Sequence, residues 1–157
     1  MEFHENSRNG RVLALDVGKK RIGLALSDPL GITAQGLPTL QRTTIREDLA
    51  ALADLVRAQE VKLLLVGHPL NMSGTEGRQA VYTREFADRL HARTNVEVRY
   101  WDERLTSVEA GRVLRSSGIS IEKRAKAVDR LAAVLLLESF LDAERNVNPM
   151  DAERGSA

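Results

Sequence analysis

The 157-residue sequence contains no cysteine, which excludes disulfides, thiolate zinc sites and cysteine nucleophiles. Aromatic residues make up only 4% of the chain, whereas hydrophobic residues make up 43%, so the core must be built from Leu, Val, Ile and Ala. The longest apolar run, Leu131 to Leu137, is far shorter than a membrane span. The three histidines lie far apart and form no two-histidine zinc motif. Any bound metal is therefore expected to have oxygen or histidine ligands.

The N-terminal residues lack the basic flank and apolar run of a secretory signal, and we expect a cytoplasmic protein. The length suits one domain. We predict that this domain spans residues 11–144, because residues 1–10 and 145–157 show no apolar period and are expected to be flexible termini. The net charge of +1 does not by itself indicate a nucleic-acid partner.

Apolar runs and helical periods predict an α/β fold with the order β-β-β-α-β-α-β-α-α. A capping box formed by Thr44 and Glu47 marks the start of the first helix. An opening hairpin followed by alternating strands and helices indicates a mixed five-stranded sheet with helices on both faces. The predicted strands are 11–17, 22–27, 32–40, 62–67 and 96–101, and the predicted helices are 43–59, 77–91, 106–115 and 123–144.

Acidic residues stand where such a sheet places its functional site. Asp16 closes the first strand and Asp102-Glu103 closes the last, and sites in open α/β sheets form at the carboxyl ends of strands. Asp129 lies on the apolar stripe of the final helix, together with the small residues Ala132 and Ala133. A carboxylate on the face that packs against the sheet must be protonated, paired or bound to a metal.

Three carboxylates at one sheet end repel one another unless a divalent cation joins them. Oxygen ligands favour Mg²⁺ or Mn²⁺ over zinc. Each acid also has a simpler explanation: Asp16 could be a turn aspartate before Gly18, and Asp129 could pair with a neighbour such as Lys126.

Basic residues flank the acids and predict a polyanionic substrate with phosphates near the site. The loop Gly67–Gly74 follows a buried strand and is rich in turn-forming residues, so its backbone amides could also hold a phosphate. The candidate substrate-binding residues are Lys19, Lys20, Arg21, Asn71, Arg104, Lys126 and Arg130.

Four segments together resemble the YqgF/RuvX family of pre-16S ribosomal RNA nucleases, which is also described as Holliday-junction-resolvase-like. They occur in family order and cover roughly residues 11–144. The resemblance implies an RNase H-like fold. The segments are LDVGKKRIG from Leu15, GHPLNMSG from Gly67, DERLTS from Asp102 and VDRLAA from Val128.

The resemblance implies that Asp16, Glu103 and Asp129 are catalytic metal ligands, with two Mg²⁺ or Mn²⁺ ions as cofactors. The alternation of side chains along the last strand does not decide between Asp102 and Glu103 as its metal ligand. Asp102, not Glu103, continues the face of Val96, Val98 and Tyr100. Asp102 is therefore kept as a supporting or second ligand.

The function so implied is metal-dependent hydrolysis of phosphodiester bonds in the 5′-end maturation of pre-16S rRNA, by a monomer or weak homodimer that could meet ribosome or rRNA-processing factors. Two alternatives are a Holliday junction resolvase and a nucleic-acid-binding module without catalysis. An actin-like ATPase is disfavoured because the chain has room for only one such domain. His68 stands where the family commonly has an apolar residue, and Lys19 where it has a small hydroxyl residue.

Overall fold

A computed structural model describes residues 10–71, 73–103 and 121–156, with side chains at 10–71, 73–103 and 127–146. The predicted helix 106–115 lies outside the described residues. The strands are β1 (Arg11–Val17), β2 (Arg21–Ser27), β3 (Ala34–Gln41), β4 (Val61–His68) and β5 (Glu97–Asp102), and the helices are α1 (Ile45–Ala58), α2 (Arg78–Thr94) and α3 (Ile121–Ser156).

The five strands form one mixed sheet in the order β3-β2-β1-β4-β5. Strand β1 pairs parallel with β4, and β4 pairs parallel with β5, whereas β2 and β3 form the antiparallel side. The carboxyl ends of β1, β4 and β5 therefore lie at the same edge of the sheet. This confirms the predicted mixed five-stranded α/β architecture.

Alternate residues of each strand pack against different helix layers. Leu13 and Leu15 of β1 join a cluster with buried residues of α1 and α2. Val12 and Ala14 join a second cluster with residues of α3, namely Ala133, Leu136, Leu137 and Phe140. We call these two sides of the sheet the α1/α2 face and the α3 face.

The structure corrects several predicted boundaries. Strand β3 begins at Ala34 rather than at residue 32, because the Asp28 carboxylate accepts hydrogen bonds from the amides of Ile32 and Thr33 and holds the chain in a turn. Helix α2 continues to Thr94 and ends at Asn95, which has a left-handed backbone. Helix α3 runs from Ile121 to Ser156 and so continues beyond residue 144, where the predicted helix ends.

The predicted capping of α1 is confirmed. The Thr44 side chain accepts a hydrogen bond from the amide of Glu47 at 3.1 Å, which satisfies one of the free donors in the first turn. Within the described part of the chain, no helix is long and apolar enough to cross a membrane.

Candidate active site

Strand alternation places Asp16 on the α3 face of the sheet. Asp16 follows Val12 and Ala14, which both pack toward α3, and it pairs in register with Gly23 of β2. On the other side of β1, Gly67 occupies the same face of β4, since the alternate residues before it in β4 pack there. The carboxylate of Asp16 thus stands between two positions that have no side chain.

Glu103 reaches this α3 face from the end of β5. Trp101 packs in the α3-side cluster, whereas Tyr100 packs in the α1/α2-side cluster, so alternation returns Glu103 to the side of Asp16. A Cβ atom at Gly67 would lie only 2.4 Å from Glu103 Oε1. The glycine at position 67 therefore makes room for the glutamate side chain.

Asp16 and Glu103 form a close pair of acids. Burial raises the pKa of Glu103 to about 9, and a hydrogen bond to Asp16 and the negative charges of Asp16 and Asp102 act in the same direction. In its protonated form, Glu103 donates that hydrogen bond to the Asp16 carboxylate. Two acids this close cannot both ionise without a compensating positive charge.

Asp129 approaches the same face from α3. A Cβ atom at Gly23 would lie 2.1 Å from the carbonyl oxygen of Asp129, so the backbone of α3 lies directly against β2 at this point. Burial raises the pKa of Asp129, the Arg21 guanidinium opposes that rise, and the charge of Asp16 adds to it. The negative charge of Asp16 is therefore near enough to act on Asp129.

Arg21 is the ion-pair partner of Asp129. Its Nε donates to Asp129 Oδ2 at 2.8 Å, and the two side chains are 26% and 24% exposed. The alternative pairing within the helix, with Lys126, concerns a side chain outside the described residues. The sequence identified a partly buried carboxylate here but not its partner, which comes from 108 positions earlier.

The donor set suits a divalent cation bound by oxygen atoms. Asp16 and Glu103 are in hydrogen-bond contact and can both ionise only beside a positive charge. Asp129 stands near them and is held by Arg21. Among the side chains that the structure describes, no three His, Asp or Glu residues already stand as a metal-binding cluster. The described side chains thus bring the oxygen donors of Asp16 and Glu103 together, whereas Asp129 is paired with Arg21.

The predicted substrate-binding residues are distributed around this edge. Lys19 and Lys20 are exposed in the β1–β2 turn shortly after Asp16. Arg130 is exposed on α3, and its stem lies over Gly36 of β3. Two further candidates, Arg104 and the side chain of Lys126, lie outside the described residues.

Asn71 organises its own loop. Its backbone amide donates to the Thr75 carbonyl at 2.8 Å, and its backbone carbonyl accepts from the Gly74 amide. Its side-chain Nδ2 donates to Thr75 Oγ1. A Cβ atom at Gly77 would lie 2.9 Å from Asn71 Oδ1, so the carboxamide is packed closely on both sides. These contacts give Asn71 a structural part in the loop.

His68 lies on the opposite side of the sheet from Asp16. It pairs in register with Asp102, its ring lies 5.2 Å from that of Tyr100, and its Nε2 is 2.8 Å from Glu76 Oε2. The same alternation puts Asp102 on the α1/α2 face, so the geometry favours Glu103 over Asp102 as the partner of Asp16.

A buried ion pair lies behind the β1–β2 turn that carries Lys19 and Lys20, and the sequence analysis did not predict it. Arg42 Nε donates to Asp48 Oδ2 at 3.0 Å, and these side chains are only 6% and 2% exposed. Arg42 directly follows the end of β3, in a polar segment whose sequence indicates only a turn. Its partners come from three separate parts of the chain, so spacing along the sequence carries no signal for it.

The family profile described as "RuvX: Holliday junction resolvase" matches residues 10–143. The chain belongs to the RuvX family. A RuvX relative from Koribacter versatilis, named "Putative pre-16S rRNA nuclease", is 55% identical over 85% of this chain and 88% of its own length. One of the same name from Moorella thermoacetica is 50% identical over 84% of this chain and 94% of its own length.

The fold of this RuvX protein is shared with a solved structure. RuvC of Thermus thermophilus superposes with a TM-score of 0.53 at 13% identity, over 87% of this chain and 96% of that one. This likeness agrees with the RNase H-like fold that the sequence resemblance implied. Asp16 and Glu103 meet at the carboxyl edge of β1, β4 and β5 in this RuvX domain, and Asp129 lies beside them on α3.

Proposed function

We propose that this protein is a nuclease, a hydrolase of phosphodiester bonds, that works with divalent cations held by Asp16, Glu103 and Asp129. The observation that supports this proposal is the contact between Asp16 and Glu103 at the carboxyl edge of the sheet. Both carboxyl groups can ionise there only beside a positive charge. Nuclease activity is also supported by the names of relatives that share about half of its residues.

When bound, Mg²⁺ or Mn²⁺ activates water and stabilises charge on the leaving oxygen, and we propose two such ions. The carboxylates hold the cations and do not attack the phosphorus. Release of Arg21 from Asp129 frees a guanidinium at the edge of the site, where it can bind a phosphate oxygen. Lys19 and Lys20 present two further cations to the neighbouring phosphates.

The proposed substrate is the precursor of 16S rRNA, cut in the maturation of its 5′ end in the cytoplasm. The names of the relatives support this substrate. We propose that ribosome or rRNA-processing factors present the cleavage position to this edge of the sheet. We propose a monomer or weak homodimer.

A second candidate substrate is a four-way DNA junction, which the description of the matching family favours. A resolvase makes paired nicks across a junction and usually does so as a symmetric dimer. Paired cleavage of a junction by a dimer would therefore replace the RNA assignment and leave the acidic site unchanged.

The test compares three substrates with Mg²⁺, Mn²⁺ or EDTA: RNA spanning the 5′ end of the 16S precursor, a four-way DNA junction and unstructured single strands. We expect metal-dependent cleavage of the precursor, abolished in Asp16→Asn and Asp129→Asn proteins that keep the circular dichroism of the parent. Asp54→Asn changes an exposed acid of α1 and should cleave normally.

Undiminished cleavage by Asp16→Asn would overturn the catalytic assignment. If the protein binds RNA but does not cleave it in either Mg²⁺ or Mn²⁺, the alternative of a nucleic-acid-binding module without catalysis would be supported.

A further inference from the structure

The turn that carries Lys19 and Lys20 is held from behind by hydrogen bonds to its backbone. Arg42 Nη1 donates to the carbonyl of Gly18 at 3.0 Å, and the Arg42 amide donates to the carbonyl of Lys20 at 3.0 Å. Gln79 Nε2, from α2, donates to the carbonyl of Val17 at 3.0 Å. Three anchors thus fix the backbone on both sides of the two exposed lysines.

The Arg42 side chain is itself fixed. Its Nε donates to Asp48 Oδ2, and its guanidinium carbon lies 5.4 Å from the ring centre of Tyr82 and 5.0 Å from that of Phe86. Asp48 also accepts a hydrogen bond from the Thr43 amide at 3.0 Å. A buried cation with a carboxylate and two aromatic rings around it has little freedom to move.

A buried ion pair is a poor source of folding stability, because desolvation offsets most of its attraction. In some proteins such a pair instead fixes one geometry. Here the fixed geometry is that of the β1–β2 turn, which begins two residues after Asp16 and which Gly18 closes by donating its amide to the Arg21 carbonyl at 2.9 Å.

We infer that Arg42 is a positioning residue that holds Lys19 and Lys20 in place for substrate phosphates. This role rests on the proposed function, because it assigns the turn to nucleic-acid binding. Arg42 does not itself reach the substrate, since it is buried between α1, α2 and the turn.

The variant that tests this inference is Arg42→Met/Asp48→Asn. It removes both buried charges together, so no unpaired ion remains. The carboxamide introduced at position 48 keeps a carbonyl oxygen for the Thr43 amide, and the thioether introduced at position 42 packs against the two rings. The side-chain bond to the Gly18 carbonyl is lost. Val56→Ala, in the buried face near the other end of α1, serves as the control for reduced stability alone.

The first measurement needs no nucleic acid. Trypsin cleaves after lysine only where the backbone can open, and the rate of native-state cleavage follows that opening. We expect cleavage after Lys19 and Lys20 to be at least about tenfold faster in the double variant than in the parent or in Val56→Ala. An unchanged rate would show that Arg42 does not hold the turn.

The second measurement is the affinity for the 5′ precursor RNA in EDTA, followed by fluorescence anisotropy. We expect the double variant to bind about three- to tenfold more weakly, and the slope of log Kd against log salt to fall by about 1.4 for two lost phosphate contacts. In a Lys19→Ala/Lys20→Ala background, the Arg42→Met/Asp48→Asn change should have no further effect on affinity.

Additive losses would contradict positioning through the lysines. Faster trypsin cleavage with unchanged RNA affinity would overturn the functional part of the inference, while RNA cleavage that still depends on Asp16 would leave the proposed nuclease in place. RNA cleavage by the parent that does not depend on Asp16 would instead remove the proposed function.

Discussion

The raised pKa of Glu103 makes the stability of the folded protein depend on pH. Its folded-state pKa of about 9 lies above its ordinary value of 4.5, so the folded protein binds this proton more tightly than the unfolded chain does. The stabilising contribution of the protonated group is complete below about pH 4.5 and is lost as the pH rises through about 9.

Glu103→Gln should therefore be more stable than the parent in EDTA, by a margin that grows from pH 5 to pH 9, because glutamine cannot acquire the unfavourable charge. Urea denaturation at about pH 5, 7 and 9 measures that margin. Glu138→Gln, on the exposed side of α3, controls for the change in net charge. A margin that shrank with rising pH would contradict the raised pKa of Glu103 beside Asp16.

Thr83 offers a second test at the same scale. Its hydroxyl is the only fully buried side-chain polar atom without a hydrogen-bond partner among the residues described. Thr83→Val replaces that hydroxyl with a methyl group of similar size and should raise the free energy of unfolding by about 1 kcal/mol.

The matched control is Thr94→Val on the same helix. The Thr94 hydroxyl donates to the Leu90 carbonyl and accepts from the Val96 amide, so its removal should lower the free energy of unfolding by about 1 kcal/mol. Equal effects of the two substitutions in chemical denaturation would show that the Thr83 hydroxyl is in fact satisfied.

Sequence patterns predicted individual acids better than their partners. The stripe of Ala132, Ala133 and Leu136 correctly placed Asp129 on the packed side of α3, since all three are buried. Its pairing with Arg21 was not predictable, because it depends on how separate elements meet. Arg42 and Asp48 are only six positions apart, but the burial of that pair depends on Tyr82 and Phe86 of α2. Spacing along the chain gives only contacts within an element.

At the scale of elements, the close approach of α3 to β2 determines where Asp129 stands. Gly23 lies on the α3 face, and the helix backbone occupies the space that a side chain there would need. Close contact of this kind makes a sheet position intolerant of even a methyl group.

Gly23→Ala should force α3 away from the sheet, lower the free energy of unfolding by about 1–3 kcal/mol and abolish cleavage. Gly36→Ala is the matched control on β3, where the first atoms met are those of the Arg130 side chain, which can move. Thermal melts and cleavage rates measure both effects. Equal losses in the two variants would show that the Asp129 backbone is not the limiting contact.

The predicted elements were most accurate where burial determined the pattern. Strands β1 and β4 are covered on both faces, so their continuous apolar runs were unambiguous. Strand β3 lies at an edge of the described sheet and therefore tolerates Pro38. Because an edge strand accepts such residues, the composition of this segment did not indicate where the strand begins. Helix ends were predicted less well, because apolar periodicity does not continue into exposed turns.

At the scale of the molecule, the sheet is shared by two cores, one on the α1/α2 face and one on the α3 face. Both β1 and β4 contribute residues to each core. Loss of either helix layer exposes apolar residues of strands that also pack against the other layer. The two cores should therefore unfold together.

Trp101, the single tryptophan, reports on the α3-side core through its edge contact with Phe140. We expect its fluorescence and the far-ultraviolet circular dichroism to give the same urea midpoint, since both follow one cooperative transition. An earlier fluorescence transition would show that the α3 layer detaches while the rest of the sheet persists.

The pairing of Arg21 with Asp129 joins positions 108 residues apart. During synthesis, Arg21 of β2 therefore meets Asp129 of α3 only after almost the whole domain has been translated. A chain truncated by a premature stop would lack that helix altogether. Such a truncated chain therefore also lacks Asp129, one of the three acids of the proposed nuclease site.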